Sequence, residues 1–136
     1  MSGVGGESDS RVSINPRPVQ RQGGTYVIAM LDYEISPADA EALLKENKAR
    51  LIDVREPWEL ATARIDGSLS MPMGEVTARA HHELDPEERL VVVCHRGIRS
   101  MNVTAWLRNQ GFEEVQSLRG GIDAWSAEVD ASVPRY

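Results

Sequence analysis

The chain is predicted to be an α/β domain in which helices cover both faces of a mostly parallel sheet. Three observations carry that expectation. Leu90-Val91-Val92-Val93 is apolar at every position and β-branched at three, as a central parallel strand buried on both sides requires. Short apolar runs alternate with segments of three-four apolar spacing, a strand–helix rhythm with no internal repeat. Prolines and glycines stand where those helices should start and stop.

Met1 to Gly24 holds five of the eleven glycines and almost no periodic apolar pattern, so it is read as a flexible arm, with a folded domain over residues 25–136. Ser36-Pro37-Ala38-Asp39 starts a helix: a hydroxyl cap, a proline at the first helical position and an acid three residues after the cap. Ala40, Leu43 and Leu44 form its buried stripe, and it ends near Asn47. Leu51 to Val54 reads as a strand, and Glu56-Pro57-Trp58-Glu59-Leu60 as a second helix start. Gly67 and Pro72 bracket a brief extended piece, Val76 to Leu84 is weakly helical, and Asp85-Pro86 turns the chain into the central strand at Leu90. Beyond it, Val103, Trp106 and Leu107 mark a helix that Gly111 stops. Val115 to Leu118 is one more strand, Gly120-Gly121 a turn, and Ile122 to Val129 a last helix that packs Trp125.

Length and charge narrow the function. At 136 residues the chain makes one core. Its net charge of −6 has the wrong sign for binding nucleic-acid phosphates or anionic lipids. The longest apolar runs, Tyr26–Leu31 and Leu90–Cys94, fall far short of the ~20 residues of a membrane span, and no secretory signal is visible. A single cysteine forbids an internal disulfide and makes a reducing cytoplasm the default compartment, with a monomer the default state.

That cysteine, Cys94, follows the central strand directly. Ligands in open α/β sheets gather beyond the carboxyl ends of the strands, where loops lead into helix amino termini. A short loop containing Gly97 points backbone N–H groups at one spot, and the helix dipole adds to their field. Such surroundings lower a thiol's pKa and favour the nucleophilic thiolate. The charge map agrees: no acid lies between Leu90 and Phe112, while Arg96, Arg99 and Arg108 do. The alternative is that Cys94 is a small buried hydrophobe closing a core strand; the glycine, the arginines and the strand-to-helix transition favour the reactive reading.

Other members of the loop carry separate expectations. A histidine adjacent to the nucleophile usually points away from it, so His95 is assigned to loop geometry in preference to proton transfer. Arg99 either meets an anionic substrate or binds a neighbouring carboxylate. His81, His82 and Cys94 lack metal-site spacing, and nothing calls for a metal or another cofactor. Ser100 and His95 without a placed acid do not make a serine triad.

Leu51-Ile52-Asp53-Val54-Arg55-Glu56, Ile65-Asp66-Gly67-Ser68, Val93 through Ser100, Gly111-Phe112 and Leu118-Arg119-Gly120-Gly121-Ile122-Asp123-Ala124-Trp125 together resemble, in order and spacing, the rhodanese sulfurtransferase family. The resemblance spans about residues 34 to 129. It implies a five-stranded parallel sheet with helices on both faces and Cys94 at the end of the fourth strand. It further implies transfer of a sulfane sulfur from thiosulfate or a persulfide, through a Cys94 persulfide, to a thiophilic acceptor that can be another protein's cysteine. The substrate cradle would be His95, Arg96, Gly97, Ile98, Arg99 and Ser100, with Arg96 and Arg99 favouring anionic donors. The six-residue Cys94–Arg99 segment is sulfurtransferase-like in size; related cysteine phosphatases have one residue more between cysteine and arginine. Asp53 and Arg55 match the family's Asp-x-Arg and are read as supports of the active face. Arg64, Ser68 and Ser70 depart from the family's commoner residues at peripheral positions. A rhodanese-like module that carries sulfur or docks without turnover is the non-enzymatic alternative.

Overall fold

The computed structural model describes residues 31–136 and the backbone of two short strands before them. Those strands, β1 (Val19–Gln22) and β2 (Thr25–Ile28), pair antiparallel as a hairpin. Most of the segment expected to be an arm, residues 1–18 and 23–24, lies outside the described residues, but β1 falls within it. The sign of β1 was the Gly-Gly pair between Gln22 and Thr25, a hairpin signal that the glycine-rich composition of the whole segment masked.

Tyr33–Tyr136 is a compact unit of its own. Its strands are β3 (Glu34–Ile35), β4 (Arg50–Asp53), β5 (Leu69–Ser70), β6 (Leu90–Val93) and β7 (Val115–Leu118), and every neighbouring pair is parallel in the order β3-β7-β6-β4-β5. The five-stranded parallel sheet implied by the family resemblance is therefore what the chain forms. Central β6 pairs with β4 on one side and β7 on the other, and its four residues are completely buried. Burying each of these side chains contributes ~1.5–3 kcal/mol, which is why the run tolerates no alternating polar residue.

The helices are α1 (Pro37–Lys45), α2 (Pro57–Thr62), α3 (Val76–Glu83), α4 (Ile98–Asn109) and α5 (Gly121–Glu128), with a 3₁₀ turn over Met73–Glu75 leading into α3. Ser36 caps α1 as expected, its hydroxyl accepting from the Asp39 amide at 3.1 Å. Alternation along β6 divides the core. Leu90 and Val92 pack with Val76 and Ala80 of α3 and Val103 and Leu107 of α4, whereas Val91 and Val93 pack with Ala40 of α1 and Ile122 and Trp125 of α5. Helices thus cover both faces, and the carboxyl end of β6 leads directly into Cys94.

Candidate active site

Cys94 stands at that carboxyl end, after the fourth strand of the five-stranded sheet. Its side chain is 1% exposed and belongs to the same apolar cluster as Val54, Met71 and Val103. It closes the core, and its sulfur also sits among polar groups. Gly97 N–H reaches Sγ at 3.0 Å and Ser100 N–H at 3.3 Å, and the Ser100 hydroxyl lies 3.3 Å away. Two of the loop's amides thus make hydrogen bonds to the sulfur. They converge because α4 begins immediately after Gly97, whose φ of 105° turns the chain back over the cysteine, and because the first amides of a helix have no intrahelical acceptor.

The loop is held from behind by the start of α5. Ile122 N–H donates to the Cys94 carbonyl at 2.8 Å and Asp123 N–H to the His95 carbonyl at 3.1 Å. That approach requires glycine at position 121: φ is +64°, and an added Cβ would lie inside the contact shell of both carbonyl oxygens. Gly121→Ala should cost on the order of 1–3 kcal/mol in backbone strain alone, and more from displacement of the loop. The thermal unfolding temperature should fall; a variant of unchanged stability would mean the loop is not held here.

The remaining loop side chains divide sharply. Ile98 is 76% exposed, and Arg96 is also exposed. The His95 ring stacks on Tyr136 with centroids 4.0 Å apart, and its Nε2–H donates to the Tyr136 carbonyl at 2.9 Å. Arg99 takes the carboxylate alternative. Its two terminal nitrogens donate to both Glu59 oxygens at 2.7 and 2.9 Å. Arg108 is drawn off to the Val115 carbonyl, with its guanidinium 4.2 Å above the Tyr33 ring. The cationic cluster read from the sequence is thus largely committed to partners within the fold.

Asp53 and Arg55 are supports, both fully buried. Arg55 Nε and Nη2 grip the Asp53 carboxylate at 2.9 and 2.7 Å, Nη2 also donates to the Ala63 carbonyl at 2.7 Å, and Nη1 to the Tyr136 hydroxyl at 2.9 Å. Burial opposes the charge, but the hydrogen bonds to Asp53 and Tyr136 outweigh it and raise the pKa of Arg55 further. Glu59 and Tyr136 are the two site residues that the sequence reading missed. The Tyr136 hydroxyl donates to Glu59 at 2.8 Å, so Arg55, Tyr136, Glu59 and Arg99 form one chain of charge-assisted bonds beside the cysteine loop. Glu59 was detectable as the third residue of an N-terminal box with Glu56; Tyr136 left no local signal.

Hydrogen bonds from Arg99, against the opposing effect of burial, lower the Glu59 carboxyl from the usual 4.5 to about 2. A carboxyl depressed on folding stabilises the fold above its unfolded value, and that stability is lost as pH falls from 4.5 towards about 2. Glu59→Gln should therefore cost about 2 kcal/mol at neutral pH, with allowance for screening at the one-third-exposed Arg99 end, and should flatten the acid limb of stability in this window. Denaturant titration at neutral pH and near pH 3 checks both.

A buried cysteine whose sulfur accepts from two amides, at the carboxyl end of a central parallel strand, defines a cysteine-loop α/β domain. The chain belongs to the rhodanese-like domain family, whose pattern matches residues 36–128. It is 35% identical over 92 residues to the thiosulfate sulfurtransferase GlpE of Actinobacillus pleuropneumoniae serotype 3, covering 68% of this chain and 84% of that one. It is 42% identical over 93 residues to the chloroplastic rhodanese-like/PpiC domain-containing protein 12 of Arabidopsis thaliana, covering 66% of this chain but only 31% of the plant protein. The human single-domain sulfurtransferase TSTD1 superposes with a TM-score of 0.64 at 25% identity, over 72% of this chain and 98% of its own. The relatives place the domain in a sulfurtransferase family. Among the described residues, no helix is long and apolar enough to cross a membrane.

Proposed function

We propose that this domain is a sulfurtransferase that carries a sulfane sulfur on Cys94, taking it from thiosulfate or a persulfide and passing it to a thiophilic acceptor in a reducing, cytoplasm-like compartment. The observation that carries the reading is the surroundings of Sγ: two amides donate to it at 3.0 and 3.3 Å, and the Ser100 hydroxyl lies 3.3 Å from it. In the first half-reaction the Cys94 thiolate attacks the outer sulfur of thiosulfate. A new S–S bond forms, the old one breaks, and its electron pair leaves with sulfite. In the second, cyanide, a thiolate or a protein cysteine attacks the outer sulfur of the persulfide, and the electron pair of the breaking S–S bond returns to Cys94. Such a cycle is ping-pong.

The chain's own groups have separate tasks in this scheme. Gly97 N–H, Ser100 N–H and the Ser100 hydroxyl hold the inner sulfur. The Ile98 and Arg99 amides, first-turn donors without intrahelical acceptors, are left for the outer one. Exposed Arg96 draws in anionic donors, whereas Arg99, already bound to Glu59, shapes the loop. Intact mass after incubation with thiosulfate should rise by one sulfur atom per chain, and cyanide should remove it as thiocyanate.

A sulfur-carrying or docking module without turnover is the second reading, favoured by the near-complete burial of Cys94. Loading without turnover by any acceptor would mark a carrier, and no loading from thiosulfate or a persulfide donor would mark a docking module. Turnover of aryl phosphates with no loading would instead mark a phosphatase.

A further inference from the structure

We propose that Ser117, on a strand that the cysteine loop does not include, is a positioning residue that acts through Ser100 to keep the Cys94 sulfur an acceptor, and so anionic. The inference deepens the sulfurtransferase reading and rests on Cys94 being its reacting atom. Ser117 lies in β7, paired with Glu34 of β3 and Val92 of β6, and is fully buried. Its hydroxyl oxygen is 2.7 Å from that of Ser100, which is in turn 3.3 Å from Sγ.

A row of sulfur and two hydroxyls can run in two directions. In one, the thiol donates to Ser100 and Ser100 donates to Ser117. In the other, Ser117 donates to Ser100, and Ser100 donates to the sulfur. The far end decides between them. Among the described residues the Ser117 hydroxyl has a single hydrogen-bonding partner, Ser100 Oγ. The first direction leaves the Ser117 proton buried without an acceptor, a cost of ~1–3 kcal/mol. The second satisfies it and turns the Ser100 proton toward Sγ. With Gly97 and Ser100 amides also donating, the sulfur then accepts three hydrogen bonds in a site 1% exposed, and the Ser100 oxygen, the one acceptor within reach of Sγ among the described residues, no longer takes a proton from it. The same orientation serves the persulfide state, in which the inner sulfur must still accept.

Because Cys94 is the only cysteine, the ultraviolet absorbance of its thiolate can be read as the difference between a protein and its Cys94→Ser counterpart. At neutral pH, Ser117→Ala should reduce this signal several-fold. In a Ser100→Ala background the same change should add nothing, because Ser117 acts only through Ser100. Ser117→Thr and Ser117→Val share any packing cost and differ in the hydroxyl, so Thr should keep the signal and Val lose it. An undiminished signal in Ser117→Ala, equal signals in the Thr and Val variants, or an effect that persists without the Ser100 hydroxyl would overturn the proposal. The measurement involves no sulfur donor, so a protein with the predicted signals that never loads sulfur would refute the function and leave this inference standing.

Discussion

Cys94→Ser should abolish sulfur loading and lower thiosulfate:cyanide transfer by at least ~10³-fold. The loss is chemical. A serine hydroxyl stays protonated at neutral pH, makes a poor nucleophile toward sulfur, and cannot hold a persulfide. The fold should survive, because a smaller polar atom still meets the Gly97 and Ser100 donors. Intact mass after thiosulfate treatment, with thiocyanate release as the second readout, distinguishes the possibilities: a variant that still gains one sulfur atom would place the reaction elsewhere on the chain.

Arg55→Ala should be the most damaging change to stability away from the sulfur. Its guanidinium supplies the hydrogen bonds that satisfy Asp53, the Ala63 carbonyl and the Tyr136 hydroxyl. Truncation leaves the Asp53 carboxylate at 0% exposure with no counter-ion, a loss of about 3–5 kcal/mol before the cavity left by the side chain is counted. A domain of this size has about 5–15 kcal/mol in total. The urea midpoint should therefore drop by a large fraction of its wild-type value. Arg55→Lys should recover only part of the loss, because a single ammonium cannot reach partners on three sides at once. A midpoint unchanged in Arg55→Ala would mean that Asp53 finds water or another donor.

The readable parts of this protein were local ones. A short, mostly β-branched apolar run fits a strand covered on both faces, so β6 was legible in Leu90–Val93 and, with the strand–helix alternation around it, so was the parallel sheet. The Ser36 cap, the glycine stops and the cysteine loop were legible for the same reason: each is a backbone requirement met within a few residues. The hairpin strand Val19–Gln22 was not, since the composition around it outweighed a two-residue turn signal.

What the loop's charged side chains do was settled by distance along the chain. Arg99 meets Glu59 forty residues away, His95 meets Tyr136 across forty-one, Arg55 meets Tyr136 across eighty-one and Ser100 meets Ser117 across seventeen. Nothing in the composition or spacing of the loop distinguishes an arginine free to meet a substrate from one already held by a buried carboxylate. Strand and helix patterns, together with a lone cysteine after a buried strand, were written into consecutive residues, because backbone geometry and burial act over a few positions. The partners that orient the sulfur and neutralise its neighbours came from elements that meet only when the sheet assembles, because hydrogen bonds and ion pairs depend on separation in space.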